Sequence, residues 1–181
     1  MSNSKSSFDL SIQDAEAILE FYDELNQQKQ RLERLEVLKR AGLIVAISAW
    51  ETYVECRIEE SVSEMLSSSP QSKANKFMLS KLVQELKRFN SPNSEKTQRL
   101  FSDFLGINIY DFWEWNNYKL IDVRNKLDNL VSKRGDAAHQ GRTPNEGQKQ
   151  PDLIKIEELR KSIVFLKSLV LATEKAFEKS N

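Results

Sequence analysis

LERLEVLKRAGLIVAISAWETYVECRIEESVSEML, residues 32–66, decides the fold. Leu35, Leu38, Ile44, Ile47, Val54, Ile58 and Met65 recur at helical steps, and Val45, Ala49 and Cys56 widen the apolar stripe. No proline interrupts the run and Gly42 is its only glycine. The pattern predicts a long helix whose middle is buried almost all round. Such a helix needs partners on several sides, which makes it the central member of a bundle.

Working outward, Ser11 followed by Asp14 reads as a helix start, with residues 1–10 expected to be a flexible terminus and residues 11–178 one helical domain. The run from that start to Leu66 admits either one very long helix or two with a break near residues 26–30, and ordinary helix lengths favour two. After the polar linker of residues 67–73, Phe77, Leu79, Leu82, Val83 and Leu86 predict a third helix ending near Phe89. A short helix from Ser94 to Leu105 stops at Gly106, which suits the left-handed conformation beyond a helix end. Leu120, Val123, Leu127, Leu130 and Val131 form the stripe of a helix ending before Gly141. Asp152 is placed to cap a last helix containing Leu159, Ile163, Leu166, Leu169 and Val170. The predicted class is all-α, an antiparallel bundle of about five helices.

Composition agrees. Hydrophobic residues at 39% and charged residues at 30%, with five Gly and four Pro in 181 residues, favour helices over sheet or disorder. Lys and Arg total 27 against 27 acidic residues, so no global positive field advertises a nucleic-acid binder and any RNA contact must be local. Cys56 stands alone, which rules out an internal disulfide and a cysteine metal cluster and suits a buried thiol in a reducing compartment. The first seven residues lack the apolar core of a signal peptide, and the longest apolar run, residues 41–50, is about half a membrane span; a cytoplasmic protein is expected.

Two clusters invite a chemical reading. Tyr110, Phe112, Trp113, Trp115 and Tyr118 form either a base-stacking platform or core packing at a helix entrance. His139 is the only histidine, hence the only side chain whose ordinary pKa suits proton transfer near neutrality. Five residues earlier, Arg134 is a permanent cation suited to a phosphate. That separation turns about 500°, leaving the two side chains roughly 140° apart on an ideal helix. Glu51 interrupts the most apolar part of the long helix and needs a partner there, either the Arg134–His139 segment or another cation such as Arg124.

The stretch Val131-Ser-Lys-Arg-Gly-Asp-Ala-Ala-His-Gln-Gly141 resembles the R-x4-6-H signature of the HEPN superfamily. The block Trp50-Glu-Thr-Tyr-Val-Glu55 is similar to one in the long early helix of the RiboL-PSP-type branch. The resemblance covers about residues 10–178. It implies a metal-independent endoribonuclease of toxin or defence type, with no cofactor, that leaves a 2′,3′-cyclic phosphate. Its catalytic residues are Arg134 and His139, in a cleft formed between the two bundles of a homodimer.

Glu51 and Asp136 are supporting candidates. Lys133 and Arg142 are RNA-contact candidates, because residues 131–150 carry Lys133, Arg134, Arg142 and Lys149 against Asp136 and Glu146. RNA, a second copy and a neutralising antitoxin are the implied partners, and no membrane is involved. Gly135 departs from the family pattern, which commonly has Asn or another polar residue after the arginine. A catalytically inactive dimerisation or RNA-binding module therefore stands as the alternative.

Overall fold

In the computed structural model the chain is described over residues 2–29, 32–67, 72–139 and 153–178, with residues 32, 33 and 139 described by their backbone. Among these, six α-helices occur where about five were expected: α1 (Asn3–Gln27), α2 (Leu32–Leu66), α3 (Lys73–Leu86), α4 (Ser94–Leu105), α5 (Leu120–His139) and α6 (Ile156–Glu178). A single 3₁₀ turn (Ile109–Phe112) lies between α4 and α5.

The long helix α2 is the hub. Leu43, Ala46, Ile47, Trp50, Tyr53, Val54 and Ile58 are buried along one broad face, while Thr52 and Glu59 on the opposite side are exposed, so the helix is not buried almost all round as expected. α1 runs antiparallel to it: Asn3 and Ser4 sit at Glu60, and Ile18 sits at Gly42. Antiparallel to α1 in turn is α6, tied by Arg160 to Asp23, Lys167 to Glu16 and Glu174 to Ser2. α5 runs antiparallel to α6, with Lys126 over Phe165 and Lys133 on Glu158. A Cβ at Gly42 would lie 3.0 Å from Leu159 Cδ2 and 3.5 Å from Ile18 Cγ2, so the glycine lets α1, α2 and α6 approach closely where they meet.

The aromatic cluster is core packing. Trp113 is fully buried against Trp50 and donates Nε1–H to Thr173 Oγ1 at 3.0 Å, and Trp115 and Tyr118 pack on Phe165. Cys56 is only partly buried; desolvation and the flanking Glu59, Glu55 and Glu60 push its thiol pKa up, which makes it a poor nucleophile.

Two further expectations need correction. The first helix starts at Asn3, not at Ser11, so residues 3–10 are helical rather than a flexible terminus. Ser2 is the N-cap, its side chain accepting from the Lys5 amide, while the Glu60 carboxylate accepts from the amides of Asn3 and Ser4 and from the Ser4 hydroxyl. A carboxylate brought from another helix does the capping, and Phe8 anchors this turn in the core. The second correction concerns α3: of its predicted stripe only Leu82 is buried, and Phe77, Leu79 and Val83 face outward because α3 touches the bundle along a narrow edge. Asp152, the expected cap of the last helix, lies outside the described residues.

Glu60 yields a stability prediction. Burial pushes its carboxyl up, but the Ser4 hydroxyl, the two amides and Arg57 together outweigh burial and hold the pKa below its ordinary 4.5. The stabilisation is therefore complete above that pH and is lost as pH falls through the lowered value. Glu60→Ala is expected to cost about 0.5–2 kcal/mol at neutral pH, the range for a helix cap. Urea unfolding should show the gap between wild type and variant closing at acidic pH.

Candidate functional site

The site is assembled around Glu51. An isolated carboxylate among Ala49, Trp50 and Tyr53 would be costly, and the fold supplies its partner from α5: Arg134 Nη2 lies 2.9 Å from Glu51 Oε2. Of the two alternatives open in the sequence, Arg134 is thus the cation that answers Glu51. Arg124 instead lies over the Tyr110 ring, 5.0 Å from its centroid. Burial is the largest influence on Glu51 and raises its pKa, with Arg134 and then Lys96 opposing the rise.

A second contact seats the guanidinium, Nη1 donating to the carbonyl of Asn90 at 3.3 Å. That carbonyl belongs to the turn between α3 and α4, which is pinned from both sides. Trp50, the residue before Glu51, donates its indole N–H to the Pro92 carbonyl at 2.9 Å. Asp128 of α5 accepts from the Ser94 amide at 2.7 Å and from the Ser94 hydroxyl at 3.0 Å. Asn93 caps α4 through the Lys96 amide at 2.9 Å. Arg134 is consequently held in place yet 26% exposed, so its unoccupied N–H groups can meet an anion from solvent.

α5 continues as regular helix through both Arg134 and His139, without the loosening that would bring their side chains onto one face. The side chain of His139 and the whole of Arg142 lie outside the described residues. Lys133 is paired with Glu158 of α6 at 2.5 Å, both partly exposed. Asp136 is exposed, and a Cβ at Gly135 would meet open space, so the glycine serves no packing need.

The fold therefore joins Glu51 to Arg134, and adds two neighbours that periodicity does not reveal: the Asn90 carbonyl and Lys96, close enough to act on the Glu51 charge. Only the loneliness of Glu51 in an apolar stretch hinted at such an assembly. Among the described residues no group of three or more His, Cys, Asp or Glu side chains is arranged to hold a metal ion, and no helix is long and apolar enough to cross a membrane.

Compared with known families, residues 9–179 match the family model described as RiboL-PSP-HEPN. No curated protein and no solved structure matches the chain.

Proposed function

Because the chain belongs to the RiboL-PSP-HEPN family, we propose that it is a metal-independent endoribonuclease of toxin or defence type with Arg134 and His139 as catalytic residues. The observation that carries this reading is the Glu51–Arg134 ion pair. It supports a prepared anion site because the arginine is fixed by a carboxylate and a carbonyl while part of its fork faces solvent.

The chemistry follows from what RNA offers. A base removes the proton of a ribose 2′-hydroxyl, O2′ attacks the adjacent phosphorus, the bond from phosphorus to the 5′-oxygen breaks, and an acid protonates that leaving oxygen. The products are a 2′,3′-cyclic phosphate and a 5′-hydroxyl. One histidine is too few to act as base and acid together. A symmetric dimer supplies two His139 and two Arg134 to one cleft, one imidazole for each proton transfer and the guanidinium groups for the charge on phosphorus. Glu51 holds Arg134 in position. Asp136 stands in for the polar residue missing at Gly135. Lys133 and Arg142 form the phosphate-attracting rim, Lys133 exchanging its partly exposed Glu158 partner for RNA at little cost.

Incubation with a chelator present is expected to leave RNA cleavage intact, with cyclic phosphate found on the 3′ ends of the products. Linear 3′-hydroxyl ends, or activity abolished by the chelator, would overturn the reading.

Gly135 favours a second reading, since its position is open and carries no side chain. In this alternative the protein is a HEPN-type dimerisation or RNA-binding module without catalysis. RNA that is bound but stays whole, with binding indifferent to His139→Ala, would select it.

A further inference from the structure

A cavity of about 330 Å³ opens between α3 and α4, beside the turn that seats Arg134. Its floor is apolar, made by Phe89, Leu100 and Phe104, of which Phe89 and Leu100 are buried. Three cations, Arg88 just beyond α3 and Lys96 and Arg99 on α4, line it against two carboxylates, Glu85 and Asp103. The α4 residues lie three, four, seven and eight positions apart, so Lys96, Arg99, Leu100, Asp103 and Phe104 share one helix face toward the cavity. Charge is graded along that face. Lys96 and Arg99 come first, at the end of α4 nearest Glu51, and Asp103 lies at the far end.

The cavity and the Arg134 site share a wall. Phe89 lines the cavity and the next residue, Asn90, accepts from Arg134. Lys96 belongs to both, lining the cavity and acting on the Glu51 charge. Arg99 is paired with Glu85 at 3.6 Å, but at 67% exposure that contact is screened and readily exchanged for a phosphate. A cation cluster beside an apolar floor, in a space at the lower end of ligand-pocket volumes, matches one nucleotide: a phosphate at the charged end and a base on the floor.

We infer that the α3–α4 cavity is a nucleotide subsite holding a residue of the RNA strand adjacent to the phosphate at Arg134. The strand then runs from the motif helix across the α3–α4 turn, with Arg88, Lys96 and Arg99 taking the neighbouring phosphate. This rests on the proposed action on RNA but not on cleavage. Arg88 and Arg99 are exposed and, apart from the rim contact with Glu85, outside the packing of the fold, so their removal leaves the bundle intact.

The test measures fluorescence anisotropy of a labelled single-stranded RNA of about ten nucleotides, at several salt concentrations, with wild type, Arg88→Ala/Arg99→Ala and His139→Ala. Circular dichroism confirms folding of each variant. The double variant is expected to bind about tenfold more weakly, with the slope of log affinity against log salt smaller by about 0.7, one single-strand phosphate contact's worth. Unchanged affinity and slope in the double variant would overturn the subsite, as would a wild type that binds no RNA at low salt. So would AMP or UMP binding that depends on Arg88 and Arg99 while RNA binding does not, for the cavity would then serve free nucleotides. Wild type that binds RNA through Arg88 and Arg99 but never cleaves it would refute the nuclease reading and leave the subsite standing.

Discussion

His139→Ala is expected to lower RNA cleavage by about 10²- to 10⁴-fold, the range general acid–base groups contribute, while the helical signal and the unfolding midpoint stay close to wild type. The histidine is unique in the chain, so no second imidazole can substitute within a protomer. In a dimer both proton-transfer groups vanish together, which is why the effect should sit at the upper part of the range. Arg134→Ala is a different experiment, because it strips the guanidinium from Glu51 and leaves a carboxylate of 14% exposure with Lys96 as its remaining neighbouring cation. Activity should fall and stability should fall with it. Pairing that change with Glu51→Gln separates the two losses. The double variant should recover stability, since the unpaired charge is gone, and should not recover cleavage, since the anion-binding fork is still missing. Full activity in His139→Ala, measured by the appearance of cyclic-phosphate ends, would end the catalytic assignment.

How far this arrangement was legible in the sequence differs from element to element, for physical reasons. The α2 helix could be read directly because its broad buried face leaves apolar residues at repeated three- and four-residue steps. Gly106 could be read too, since a helix end with φ of +67° is a local demand that glycine meets. The start of α1 could not. Its cap is completed by Glu60, far along the chain, and no local pattern at Ser2 announces a carboxylate arriving from another helix. The outward apolar residues of α3 misled for the opposite reason: helical spacing predicts a face but not what covers it. At the site, the resemblance in the motif segment picked out Arg134 and the apolar surroundings singled out Glu51, but the sequence left Arg124 as an equal partner for the carboxylate. Only the packing of α5 on α2 resolves that choice, together with the turn that brings the Asn90 carbonyl and Lys96 alongside.

That turn makes Trp50 the residue through which core packing reaches the site. Its side chain is fully buried, stacked on Tyr53 with centroids 5.6 Å apart, in edge contact with Trp113, and hydrogen-bonded to the Pro92 carbonyl. Trp50→Ala is expected to cost about 3–5 kcal/mol, as large-to-small aromatic changes in cores do. That is a large part of the roughly 5–15 kcal/mol that holds a domain folded. An unfolding free energy from urea titration within about 1 kcal/mol of wild type would contradict the packing described. Trp50→Phe is the more informative change, since it keeps most of the buried surface and removes the indole N–H, a loss of about 1–3 kcal/mol for the buried carbonyl left without its donor. Pro92 is then freed on the side facing α2, and Asn90, two residues away, presents its carbonyl to Arg134 from a turn held only from the Asp128 side. Cleavage should therefore fall in Trp50→Phe even under conditions where the variant is almost fully folded. The defect should be largest in the arginine's interaction with phosphate, so that binding of the labelled RNA weakens while the pH profile of the remaining cleavage keeps its shape.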